Sequence, residues 1–208
     1  MGRAPTDTKE KLIETATELI FRDSYGAVSV DEICSTAGVH KGSFYHYFPS
    51  KADLALEAIE DRVRELQTEY DSIFSSENPP VRRFELLAQF VYEQQENIRK
   101  ERGCVCGCPF ATLGSELAAQ DENIGKRISG MCAEKLSYYE ETLRDLIKEG
   151  LLDKNTDVST KAQDIHAFIL GHLMVARINN NLEFIRDHLK DSLSALIGIN
   201  ENTKAIAA

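Results

Sequence analysis

Arg102-Gly103-Cys104-Val105-Cys106-Gly107-Cys108-Pro109-Phe110 puts three of the chain's five cysteines within five residues. Pro109 fits the first position of a helix running through Phe110, Leu113 and Leu117, which places Cys108 at its N-cap. There the unpaired amides and the helix dipole favour a thiolate, and Lys100 and Arg102 add positive charge. Cys108 therefore has a physical route to reaction with oxidants or electrophiles, with Cys106 and Cys104 either as resolving thiols or as residues that only line a loop. The plain alternative is a small packed side chain at a helix junction. Soft ions such as Cu(I) would also suit thiolates. Cys-x-Cys-x-Cys lacks the spacing usual for structural zinc, however, and the nearest histidines in sequence, His46 and His166, are distant, so no metal and no cofactor is assigned. Cys34 reads as core and Cys132 as core or pocket lining.

A second set of side chains is suited to nucleic acid. Residues 29–54 read as two short helices joined by a glycine turn, followed by the capped start of a third helix. Ser29 and Glu32 form a capping box; Val30, Ile33 and Ala37 repeat at helical spacing, and Gly38 ends the turn. In the following segment Phe44, Tyr47 and Phe48 are placed to pack inward. His40, Lys41, Ser43, Tyr45 and His46 point outward, and a core helix has no use for that outward set. Ser50 and Asp53 cap the next helix, with Lys51 at its start. The chain carries 34 acidic and 24 basic residues, yet no Asp or Glu lies between Ala37 and Ala52. Acids are kept off this one surface, and for nucleic-acid binding the distribution of charge decides more than its total. In a helix-turn-helix the second helix enters the major groove and a dimer reads two half-sites.

At these residues the chain resembles the TetR family of bacterial transcription repressors, whose DNA-binding domains typically read Thr/Ser-Val-x-x-Ile-x-x-x-Ala-Gly-Val, then Lys-Gly-x-hydrophobic-Tyr-x-Tyr/His-Phe, then Ser-Lys. The resemblance is strong over residues 8–56. It implies an all-α protein: a three-helix DNA-binding domain at 1–50 and a helical ligand-sensing and dimerisation domain at 51–208, the two sharing the fourth helix. It also implies that Lys41, Tyr45 and Lys51 hold phosphates, with Ser29 assisting. Gly42 would permit close approach to DNA, and Ser43 or His46 would touch bases, with His40 beside them. The implied partners are a double-stranded palindromic operator, a second copy of the chain, and a small-molecule or electrophile inducer. Gly107, Cys108, Leu113 and Glu116 are similar to a short pattern in a branch of the family that senses electrophiles and hypochlorite.

The remaining chain reads as helices at 8–24, 50–74, 81–101, 109–119, 121–149, 158–179 and 182–197, with Gly26 closing the first and residues 75–80 breaking the second. The apolar pair at 158–179 and 182–197 would supply a four-helix dimer interface, an assignment that leans on the family, since ordinary core explains the pattern as well. Phe110, Met131, Tyr138, His166, Phe168 and His172 are pocket candidates, although most such residues are core. No segment is long and apolar enough to span a bilayer and the start has no signal core, which predicts a cytoplasmic protein without a membrane partner. No phosphate loop, His-Glu-x-x-His or nucleophile elbow occurs, which argues against an enzyme. The competing function is a thiol redox or soft-metal-binding protein using Cys104, Cys106 and Cys108. Residues 200–208 have little that could pack and should fray.

Overall fold

A computed structural model describes residues 5–118 and 122–199, without the side chains of residues 5–7 and Phe110. The tail expectation for 200–208 lies outside the described residues. Among them every regular element is helical: α1 (Pro5–Asp23), α2 (Val30–Ala37), α3 (Lys41–Tyr47), α4 (Lys51–Ile73), α5 (Pro80–Arg102), α6 (Pro109–Leu117), α7 (Glu122–Lys148), α8 (Val158–Asn179) and α9 (Glu183–Ile197).

The caps explain where the reading helices start and stop. Ser29 Oγ accepts from the Glu32 amide at 3.1 Å, and Gly38 closes α2 with φ 65°, a conformation that costs glycine least. Ser50 Oγ accepts from the Asp53 amide at 3.2 Å and donates to the Asp53 carboxylate at 2.7 Å, which secures the start of α4. One expectation shifts. Helix α1 ends at Asp23, and the left-handed residue behind it is Ser24 (φ 89°), not Gly26.

The chain forms two compact units. The first comprises Met1–Gln67 and Pro109–Ser129. Here α1, α2 and α3 pack on one another, burying Leu12, Ala16, Ile20, Ile33, Phe44 and Phe48. Leu54, Ala55, Ala58 and Ile59 of α4 are equally buried, and this unit extends beyond residue 50 to Gln67 and includes Pro109–Ser129. The physical reason is that α1, α2 and α3 bury too little apolar surface alone.

The second unit comprises Thr68–Cys108 and Gly130–Ala208. In it α9 packs against α5 and α8. Asn78 holds the α4–α5 turn by donating from Nδ2 to the carbonyls of Ser72 and Ile73 at 2.8 and 3.0 Å. Arg83 is buried; its Nε donates to the Asn78 carbonyl at 2.9 Å and its Nη1 to Asp145 Oδ2 at 2.7 Å. A buried guanidinium deprived of its carboxylate keeps its desolvation cost without the compensating attraction. Asp145→Ala is therefore expected to destabilise this unit by about 3 kcal/mol in denaturant unfolding. A change below about 0.5 kcal/mol would mean the pair is screened as surface pairs are.

Candidate nucleic-acid interface and thiol loop

Helix α3 divides cleanly into two faces. Phe44 and Phe48, four residues apart, are fully buried. Gly42, Tyr45 and His46 fall at i, i+3 and i+4 on the opposite side and are exposed, Tyr45 by 52% despite its size. Tyr45 stands edge-on to Phe44 with centroids 5.1 Å apart, which holds its ring in one direction. His40 is exposed at the N-cap of α3, and its carbonyl accepts from the amides of Ser43 and Phe44. Ser43 is half-buried. So is Tyr47, which was expected to pack inward fully; it lies edge-on to His46 at 5.0 Å.

The two lysines differ. Lys41 stands at the first position of α3, half-exposed, with Nζ 2.8 Å from Asp31 Oδ1, and that hydrogen bond raises its pKa above the ordinary lysine value. Lys51 turns inward. Its ammonium donates to the carbonyls of Tyr25 and Val28 at 2.7 and 2.8 Å and sits 3.9 Å from the Tyr25 ring centroid. Burial lowers its pKa, with Glu116 opposing. This ammonium therefore braces the turn that presents Ser29, an arrangement different from the direct phosphate contact expected for it. Glu116 of α6 acts on the same turn, its Oε2 accepting from the Gly26 amide at 2.8 Å. Asp31, Tyr25 and the bracing role of Glu116 were not foreseen. Asp31 lies ten residues before Lys41 and Glu116 ninety after Gly26, and no local spacing rule pairs them.

Cys108 directly precedes Pro109, the first residue of α6, as the N-cap expectation requires, and it is half-buried. Cys106 is buried, Cys104 partly exposed, and their sulfurs are 3.9 Å apart. Cys34 is core; Cys132 is half-buried, and burial pushes its thiol pKa up. Among the described residues no group of three or more His, Cys, Asp or Glu is placed to hold a metal ion.

The pocket candidates separate. Tyr138 and His166 belong to an aromatic cluster: Tyr138 lies 5.8 Å from Tyr70 and 5.2 Å from Phe74, and His166 lies 6.4 Å from the fully buried Tyr139. Tyr138 also donates to Asp71. Phe168 and His172 instead pair with each other on α8, where His172 stacks on Phe184 of α9 at 5.1 Å. Met131 is buried, and the Phe110 side chain lies outside the described residues.

Burial, assisted by Lys135, depresses the His166 pKa. A histidine held neutral in the fold, while the unfolded chain still takes up a proton, contributes stability that is lost as pH falls from about 6.5 through the lowered folded value. His166→Gln is expected to flatten the acid-side loss of stability in melts between about pH 7 and 5. An unchanged profile would assign that loss to other groups.

Residues 12–58 match the family model for bacterial regulatory proteins, tetR family, and residues 84–190 the model for a tetracyclin repressor-like C-terminal domain. The chain belongs to the TetR family. It is 27% identical over 183 residues to an uncharacterized HTH-type transcriptional regulator of Lactococcus lactis, covering 88% of this chain and 89% of that one. Against the HTH-type transcriptional repressor NemR of Escherichia coli the identity is 25% over 183 residues, 88% of this chain and 90% of NemR. A solved TetR regulatory protein from Rhodobacter sphaeroides superposes with a TM-score of 0.77 at 25% identity, over 91% of this chain and 96% of the other. The protein is thus a helix-turn-helix transcription regulator of TetR fold, from a family whose members bind DNA operators as dimers. No helix among the described residues is long and apolar enough to cross a membrane.

Proposed function

We propose that this TetR-family regulator occupies a palindromic operator as a homodimer, represses the adjoining genes, and leaves the DNA when a small molecule enters the C-terminal domain or a thiol is modified. The observation that carries the DNA-binding part is the outward face of α3, where Gly42, Tyr45 and His46 lie exposed on a scaffold fixed by Phe44 and Phe48. Lys41 and Tyr45 are assigned to phosphates with Ser29 at the helix start, Ser43 and His46 to base edges with His40 beside them in the groove, and Lys51 to bracing the Ser29 turn. The E. coli relative's naming as a repressor supports repression. In this role the protein performs no catalytic step and works in the cytoplasm with its operator.

Release requires an input that favours one of two dimer states. Helix α4 contributes to both compact units. Helix α6 begins directly after Cys108 and carries Glu116 near its end, so a change at Cys108 can pass along α6 and through the Glu116–Gly26 hydrogen bond to the turn before Ser29. Tyr138 and His166 are the ligand contacts best supported by the aromatic cluster.

The Lys41–Asp31 pair supplies the test. On DNA, Lys41 must leave Asp31 for a phosphate, so Asp31→Asn is expected to tighten operator binding by about threefold, the size of an exposed ion pair. Lys41→Ala should weaken binding to all sequences and reduce the slope of log affinity against log salt by about 1. Full affinity and an unchanged slope in Lys41→Ala, measured by fluorescence anisotropy, would refute the assignment.

A further inference from the structure

Between α5 and α6 the backbone is tied down peptide by peptide. The Val105 amide donates to Asn180 Oδ1 and Arg177 Nη1 donates to the Cys106 carbonyl, each at 3.0 Å. The buried Gln95 side chain accepts from the Gly107 amide at 3.0 Å and donates to the Gly107 carbonyl at 3.1 Å. Gly107 has φ 71°, and a Cβ there would meet the Arg177 side chain at 3.3 Å, so only glycine lets the loop lie this close to α8. Two thiols share this clamped segment, Cys104 Sγ and Cys106 Sγ at 3.9 Å, the first partly exposed and the second buried.

We propose that Cys104 and Cys106 form a reversible intramolecular disulfide that is the oxidative input to this regulator, with Cys104 meeting the oxidant and Cys106 resolving it. The proposal rests on the operator-release reading above and moves the sensing step from Cys108 to the adjacent pair.

The chemistry balances with a peroxide as oxidant. The Cys104 sulfur attacks one peroxide oxygen, the O–O bond breaks, and the leaving hydroxide takes the thiol proton as water, leaving a sulfenic acid. The Cys106 sulfur then attacks the Cys104 sulfur, the S–O bond breaks, and the hydroxyl departs with the Cys106 proton as a second water. Two thiols are oxidised to one disulfide, and one peroxide is reduced to two waters. Exposure assigns the roles, and protonation agrees: burial, then the neighbouring Cys104, pushes the Cys106 thiol up to about 11, which suits a resolving thiol better than a first nucleophile. Bonded sulfurs lie about 2.05 Å apart, so closure needs them to approach by roughly 2 Å. A ring spanning a single residue is strained and belongs with the readily reduced disulfides, as a reversible signal requires.

Closure also gives a mechanical output. Asn180 holds the Val105 amide, in the peptide that follows Cys104, and Arg177 holds the Cys106 carbonyl, in the peptide just beyond the second sulfur. These residues flank Ile178, which is 73% exposed at the end of α8. Ring closure redirects the Val105 and Cys106 peptides and so acts on the α8 terminus, the part of the second unit most suited to a dimer contact.

The test uses full-length wild type, Cys104→Ser, Cys106→Ser and Cys108→Ser, treated with hydrogen peroxide. Tandem mass spectrometry after thiol blocking locates the bond, and anisotropy follows operator affinity. The expected result is a bond between residues 104 and 106 in wild type and Cys108→Ser, each losing about tenfold or more in affinity, restored by dithiothreitol. Cys104→Ser and Cys106→Ser should not respond. The proposal is overturned if Cys108→Ser alone is unresponsive, if oxidation is confined to Cys108, or if the bond forms and affinity does not change. Should the reduced wild type fail to bind the operator at all, the regulator reading fails instead, and the mass map still decides whether the disulfide exists.

Discussion

Gly42→Leu is expected to leave the protein folded and to lower its operator affinity by about 10- to 100-fold, the size of a lost groove contact. Gly42 sits at the second position of α3 without the positive φ that would demand glycine. A Cβ added there meets nothing within 4 Å. Glycine in a helix is disfavoured by up to about 1 kcal/mol against alanine or leucine, so neither backbone nor core accounts for it. A surface that approaches closely from outside does. The melting temperature should hold steady or rise by a few degrees, on the order of 2–4 °C per kcal/mol for a chain of this size. A leucine variant with full operator affinity would remove α3 from the groove, because the side chain would then project into solvent without consequence.

Ile178→Asp is expected to give a folded monomer that has lost about 100-fold or more of its operator affinity, because the second reading head no longer binds at a high effective concentration. Ile178 is 73% exposed, with Val175 at 41% and Met174 at 36% on the same helix, whereas Ile165, Ile169 and Leu173 of α8 are buried. One face of α8 is satisfied within the chain. The other presents large apolar side chains to water, which marks an association surface. The control is Ile169→Asp, which places a carboxylate in the core and should unfold the second unit. Sedimentation velocity separates these outcomes. An Ile178→Asp protein that remains dimeric and binds DNA normally would place the twofold contact elsewhere.

What the sequence made legible follows from locality. Ser29, Gly38, Ser50 and Pro109 announce helix ends through bonds or dihedrals within four residues of themselves, and each marks the end or start expected of it. The inward set on α3 was legible for Phe44 and Phe48 because a short amphipathic helix has one buried stripe; Tyr47 only half joins it, being at the end of that stripe. Roles set by distant partners were not legible. For Lys51 the resemblance implied a phosphate contact, and no local spacing announced its partners within the chain. The carbonyls of Tyr25 and Val28 that take it up come from a turn whose path depends on the tertiary fold. Phe168 and His172 satisfied a compositional rule for pockets, but α8 carries apolar residues nearly all round, so periodicity could not say which face met the aromatic cluster. The start of α4 was legible from its cap, whereas the burial of Leu54, Ala55, Ala58 and Ile59 depends on tertiary packing.

The most direct test is footprinting of the reduced wild-type protein on the DNA immediately upstream of its gene, titrated against scrambled duplex as competitor. The expected result is one protected region with twofold symmetry, bound by a dimer with at least ~1,000-fold preference over the scrambled sequence. Protection that is absent, or no stronger than on scrambled DNA, would contradict the claim that α3 reads an operator.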